Sequence, residues 1–263
     1  MPVVRPYDGL AARWAAGTSL VYGPLAVSLV RASPIDLTRK LVLDIGSGTG
    51  AVACALDATG ANVVVADSSL GMVVHGHRWG WTAIASDAMA LAVRDGSFDA
   101  AMAGFLLNHL PPAGALTEMA RVVRPGGVIA ASTWASTPPD PIKEATTTVL
   151  RAWGWRPPAW YETMKSTVEP ISGDPVRLMD DAVRAGLVDV RTAVVDEDLG
   201  ISDPSDIVAY RLAMPHIAPW VGQLGEPVDP ELVQQLRAAI APYVPTWRVS
   251  VIQLTARVPA HPR

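Results

Sequence analysis

Val42-Leu43-Asp44-Ile45-Gly46-Ser47-Gly48-Thr49-Gly50 begins as a buried strand and breaks into a turn with glycine at every second position. Those glycines let the backbone turn sharply and come close to a ligand. The AVACALDATG segment that follows reads as a helix, ending at Gly60, whose first N–H groups face the same ligand. Strand, tight turn and helix N-terminus together predict a site for a nucleotide-like molecule. Gly46, Gly48 and Ala51 also satisfy the dinucleotide spacing, so the glycines alone do not choose the ligand. Asp44 does: a carboxylate two residues ahead of the first glycine repels a pyrophosphate and favours a ligand bearing an ammonium and a sulfonium.

Outward from this segment, strands and helices alternate. Asn62–Asp67 reads as a strand, Leu70–Gly76 as a short helix and Trp81–Ala85 as a brief strand. Phe98–Gly104 follows as a strand and Gly114–Val123 as a helix, then Val128–Trp134 as a strand after the turn at Pro125-Gly126-Gly127. The alternation predicts an α/β fold with a parallel sheet covered on both faces. Asp67 ends the second strand, where a carboxylate can accept both hydroxyls of a ribose. Asp87, in Ser86-Asp87-Ala88 after the third strand, is placed to accept a hydrogen bond from an adenine amino group. Each acid taken singly also reads as a solvated loop residue or a helix cap. Three at successive strand ends point to a shared ligand.

On the N-terminal side, the clearest helix signal runs from Tyr22 to Arg31 and stops at Ser33-Pro34. From Ala135 the pattern changes, with Pro, Trp and polar residues lacking strand periodicity. Pro175–Ala185 then reads as a helix, and Val188–Asp196 and Trp247–Val258 as strands. Helix-like pieces lie between those strands at Asp206–Met214 and Pro230–Ala241. The expected division is an N-terminal helical lid (1–35), a core (36–134), a cap insertion (135–175), more core (176–200), a second cap insertion (201–245), and the last core strand with its tail (246–263).

Half of the 263 residues are hydrophobic, enough for one main domain with elaborations. A net charge of −4 leaves no excess of cations to neutralise a phosphate backbone, which argues against nucleic acid as a partner. No apolar run reaches membrane-spanning length and the start lacks a leader pattern, so the expected location is the cytoplasm, with no membrane partner. Cys54, the single cysteine, reads as a packed core thiol. His75 and His77 flank Gly76, but no cluster of further ligands accompanies them. They read as surface residues, with no metal expected.

DIGSGTG at 44–50, Asp67, Met72, SDA at 86–88, SFDAAMAGFLLNHL at 97–110 and ARVVRPGGVIAAS at 120–132 resemble the class I S-adenosylmethionine-dependent methyltransferases. The closest likeness is to the branch that modifies small molecules such as quinones, sterols and polyketide-type natural products. The resemblance covers roughly 36–134, with weaker agreement at 7–14 and 176–192. It implies a Rossmann-like seven-stranded sheet with an antiparallel last strand and S-adenosyl-L-methionine as cofactor. The loop at Gly46–Gly48 would then face the methionine part, with Asp44, Ser47 and Gly50 in the same site. Asp67 would hold the ribose, Met72 or Ser68 would pack on adenine, Asp87 and Ala88 would read its edge, and Gly104 and Phe105 would border the sulfonium. Ser68 departs from the usual larger apolar neighbour of the ribose acid. GFLLNH lacks the Pro-Pro-aromatic signature of many enzymes that methylate exocyclic base nitrogens.

His109, just after the fourth strand, is the candidate catalytic residue. In the related enzymes a histidine here often faces the substrate, and an imidazole with pKa near 6.5 can take a proton from a hydroxyl. A structural histidine at a helix start is the alternative. Trp134, Trp153, Trp155, Trp160 and Tyr161 fall in one short stretch of a chain with nine tryptophans, and such rings suit an apolar or aromatic guest. Tyr7, Trp14 and Tyr22 in the lid, Trp134, Trp153 and Trp160 in or next to the first insertion, and Met214 and His216 in the second are the expected substrate-binding residues, although each could merely pack the cap. The expected function is methyl transfer to a small, largely apolar acceptor by in-line displacement. An S-adenosylmethionine-binding cyclase or rearrangement enzyme on the same fold is the first alternative, and an NAD-linked oxidoreductase, disfavoured by Asp44, the second.

Overall fold

The computed structural model describes residues 6–225 and 227–260. Its elements in order are α1 (Ala11–Arg31), β1 (Leu41–Ile45), α2 (Ala51–Asp57), β2 (Asn62–Asp67), α3 (Leu70–Arg78), β3 (Thr82–Ala85), β4 (Phe98–Gly104), α4 (Pro112–Val122), β5 (Val123–Trp134), α5 (Pro141–Ala152), α6 (Ala159–Thr167), α7 (Glu169–Ser172), α8 (Pro175–Arg184), β6 (Val188–Glu197), α9 (Pro204–Leu212), α10 (Ala218–Leu224), α11 (Pro230–Ile240) and β7 (Val249–Arg257). The strands form one seven-stranded sheet in the order β3-β2-β1-β4-β5-β7-β6. The neighbours from β3 to β5 run parallel. β7 lies antiparallel between β5 and β6, the antiparallel last strand that the resemblance implies.

Alternation along the strands divides the apolar residues between two faces. Leu43, Ala101 and Ile129 point to one side, where Leu116 and Met119 of α4 and Leu178 of α8 cover them. Val42, Met102 and Ala130 point to the other, under Leu29 of α1 and Leu56 of α2. Both faces are therefore dry, which is why β1 and β4 read as nearly continuous apolar runs. The Pro125-Gly126-Gly127 turn is taken up inside β5 as a bulge: Phe98 pairs with Val123, yet Ala100 pairs with Val128.

Residues 135–175 contain α5, α6 and α7, and residues 201–245 contain α9, α10 and α11. Ile142 and Leu150 of α5, Ile207 and Val208 of α9, and Leu232 and Leu236 of α11 meet Val21 and Leu25 of α1 in a separate apolar core. Among the described residues no helix is long and apolar enough to cross a membrane.

Candidate functional site

The glycine turn after β1 is shaped by two close approaches. Gly46 has φ 66° and a Cβ there would lie 2.7 Å from Leu106 Cδ1, while Gly50 has φ 96° and a Cβ would lie 2.5 Å from the Trp81 ring. Side chains are excluded at both positions, so the turn stays open toward the C-terminal ends of the strands. Asp67, at the end of β2, fastens the turn: its Oδ2 accepts the Gly48 N–H (2.9 Å) and its Oδ1 accepts the Ser69 N–H (2.8 Å). Each oxygen keeps a second lone pair for a ligand hydroxyl. Burial raises the Asp67 pKa against the pull of these N–H groups.

Asp44 is fully buried, and neither carboxylate oxygen has a hydrogen-bond partner among the described residues. Burial pushes its pKa up to about 8, opposed by the Ala53 N–H, which stands too loosely for a hydrogen bond, and helped by nearby Asp67. An orphaned acid in a ligand cavity fits a cationic group that would ionise and satisfy it. The sequence reading took Asp44 as a standing negative charge; without a cation beside it, the group holds its proton at neutral pH.

These groups open into a cavity of about 1180 Å³ that also takes in Ser47, Ser68, Met72, Asp87, Ala88, Gly104 and Phe105. Met72 is buried on α3, whereas Asp87 is exposed and uses Oδ1 to accept the Met89 N–H (2.9 Å). Among the described residues that line the cavity there is no lysine or arginine.

Beyond β4 the same cavity becomes aromatic. Phe105 adopts φ 59°, a left-handed conformation that is rare for a bulky residue, and its ring lies 4.4 Å from that of Trp134. The strained turn leads to His109, whose Nε2 is 2.9 Å from the Tyr7 hydroxyl. Burial pushes the His109 pKa down to about 4, so the ring is neutral at physiological pH rather than poised near 6.5. Burial likewise pushes the Tyr7 hydroxyl far up, so Tyr7 remains an O–H. Trp14 stacks on Tyr22 (5.3 Å, 26°) along α1. Trp160 and Met164, one turn apart on α6, reach the cavity from the cap.

Tyr7, Trp14, Tyr22 and Trp160 thus line one chamber with His109 and the residues expected to hold the cofactor. Four expected substrate residues do not line it, and each has a packing reason. Trp134 stands behind Phe105, which shields it. Trp153 turns away to donate its indole N–H to Gln235 of α11 (2.8 Å). Met214 is buried in the cap core. His216 stacks flat on Tyr161 (3.9 Å, 9°), and burial, with nearby cations, holds it well below its usual pKa. The second insertion spends its apolar faces on α1 and α5 and contributes no cavity residue among those described. Cys54, read as a core thiol, is exposed on α2 and lines the cavity, as does His75. Sequence reasoning missed Met164, Leu106, Leu110, Thr18 and Ser132; only Met164, at i+4 from Trp160, carried a signal.

Comparison with known proteins agrees with this geometry. Residues 43–131 match the family model described as a methyltransferase domain. A demethylmenaquinone methyltransferase of Beutenbergia cavernae is 45% identical over 37% of this chain and 42% of its own length. One of Corynebacterium kroppenstedtii is 33% identical over 53% of this chain and 62% of its own. The chain thus spans about half the length of these relatives. Solved structures share the fold at low identity. Haemonchus contortus phosphoethanolamine N-methyltransferase 2 in complex with S-adenosyl-L-methionine has TM-score 0.57 and 14% identity, over 98% of this chain and 61% of its own. The [4+2]-cyclase SpnF has TM-score 0.54 and 19% identity, over 90% and 80%. Residues 43–131 are thus a methyltransferase domain, with the orphaned Asp44 and the loop-fastening Asp67 in its cavity.

Proposed function

We propose that this chain transfers a methyl group to a hydroxyl of a small, largely apolar organic acceptor held in the aromatic chamber. The observation that carries the reading is the Tyr7–His109 pair, set in the wall of the same cavity as the cofactor acids. When bound, S-adenosylmethionine supplies a methyl group already activated on a sulfonium. The protein's own residues then have three tasks. Asp44 and Asp67 hold the ammonium and ribose ends, with Met72, Ser68, Asp87 and Ala88 around the adenine. Trp14, Tyr22, Phe105 and Trp160 exclude water and align the acceptor ring. Neutral His109 accepts the proton that the acceptor hydroxyl loses as its oxygen takes the methyl, directly at Nε2 or through the Tyr7 hydroxyl. In this reading the described part of the lid, 6–35, and the cap at 135–175 enclose the acceptor, and the described part of 201–245 supports them from behind.

The relatives named demethylmenaquinone methyltransferases support an apolar, quinone-type acceptor, and a role in specialised metabolism suits the same chemistry. Incubation with methyl-labelled S-adenosylmethionine and a reduced demethylmenaquinone, alongside apolar metabolite extracts, tests the proposal. Label should appear on a product oxygen; label on a ring carbon of the quinol would contradict transfer to a hydroxyl and leave His109 only to orient the ring. A converted product that carries no label would instead support a rearrangement enzyme that keeps the cofactor unreacted.

A further inference from the structure

We infer that Ser132 anchors the carboxylate of the cofactor's methionine part by donating a hydrogen bond from a hydroxyl that no described residue uses. The inference rests on the S-adenosylmethionine reading of the site. Ser132 lies near the end of β5, is 2% exposed and lines the cavity, and its Oγ has no hydrogen-bond partner among the described residues. Burying an unpaired hydroxyl is unfavourable, and a group left so at a cavity wall points to a ligand that completes it.

Strand register says which part of the ligand that is. Asp44 pairs with Met102, Met102 pairs with Ala130, and two residues farther along Gly104 pairs with Ser132. A step of two residues returns a side chain to the same face, so Asp44 and Ser132 share the face covered by α1 and α2. They are two strand spacings apart across the sheet and two residues apart along it, roughly 12 Å. An amino-acid group, hydrogen-bonded at its ammonium on one side and its carboxylate on the other, spans that gap. Something neutral must hold the carboxylate, since the described cavity residues include no lysine or arginine. Thr18, buried above the same face, already donates its hydroxyl to the Trp14 carbonyl (2.8 Å). Ser69 has an unpaired hydroxyl too, but it follows Asp67 at the ribose end.

Calorimetric titration with S-adenosylhomocysteine and with its decarboxylated analogue, which keeps the adenosine, sulfur and amine, tests the assignment. Ser132→Ala should weaken S-adenosylhomocysteine by about 10- to 100-fold, the range for a hydrogen bond to a charged group, and leave the analogue's affinity unchanged. Unchanged affinity for both ligands, or equal loss for both, would overturn it; the first result would leave Ser132 to the acceptor. Ser132→Cys keeps most of the volume and loses the strong donor, and provides the same comparison where the alanine protein fails to fold. Wild-type protein unable to bind S-adenosylhomocysteine would overturn the cofactor reading, and this inference with it.

Discussion

Asp44 makes the sharpest residue-scale prediction, because its pKa of about 8 in the folded protein lies far above the value of about 4 for an unfolded chain. Between those values the folded state keeps a proton that the unfolded state releases, so this group lowers stability progressively as pH rises from about 4 to about 8. Asp44→Asn keeps the neutral shape without the titration. The stability gap between the variant and the cofactor-free wild type should therefore widen across that window and level off above it, as thermal melts at a series of pH values would show. A constant gap would mean that Asp44 is not held protonated. His109 shifts the other way. Its pKa of about 4 keeps the ring neutral, so its contribution to turnover should be flat from about pH 6 to about pH 9 and fall only as pH drops toward 4. The same depression adds stability above the unfolded value near 6.5 that is lost as pH falls through about 4. His109→Ala should lower kcat by roughly 10²–10⁴ and leave cofactor affinity intact. Wild-type kcat and KM in the variant would make His109 structural. The acids were legible in position because Asp44 stands two residues ahead of a glycine turn, and Asp67 and Asp87 stand where apolar strands end. Ser132 was not, since a serine inside an apolar strand carries no mark of whether its hydroxyl finds a partner in the fold.

At the scale of elements, four helices begin with Asp-Pro, and one of them, α5, is what the periodicity left blank. Asp140, Asp174, Asp203 and Asp229 each precede a proline and accept N–H groups of the first helical turn, and each proline occupies a position where a missing N–H is harmless. The stretch from Ala135 looked patternless because its Trp and Pro content hid α5 and α6, although Asp140-Pro141 announces the first of them. Helix α1 begins well before the Tyr22–Arg31 signal and runs through both Gly17 and Pro24. Gly17 marks the crossing with α9, where a Cβ would lie 2.7 Å from Ala213 Cβ and 2.9 Å from the Ala209 carbonyl. Pro24 sits on the exposed side of the helix, inside its span. Asp174→Ala should cost about 0.5–2 kcal/mol, since α8 carries Leu178 and Ala182 onto the sheet and its first turn would lose its cap. Urea unfolding checks this: a lower midpoint with an unchanged slope is expected, and an unmoved midpoint would deny the cap any role.

Across the whole molecule, the stretch of the chain that runs from β1 to β5 was readable almost element by element, since strands buried on both faces and glycine-marked turns leave strong local signals. The cap was not, because which aromatic ring faces a guest and which faces another ring is settled by tertiary packing. Trp160 reaches the cavity while Trp153, on the same stretch, bonds to Gln235. In the proposed reading, the acids of the one cavity take a cationic nucleoside and its aromatic residues take the acceptor. That these acids select a cationic nucleoside is the central claim, and competitive calorimetry tests it most directly. Wild-type protein should bind S-adenosylmethionine and S-adenosylhomocysteine at least about 10-fold more tightly than NAD, and Asp67→Ala should weaken both sulfur ligands by about 1.5–3 kcal/mol without unfolding the protein. Tighter binding of NAD, or sulfur-ligand affinities untouched by Asp67→Ala, would contradict the account.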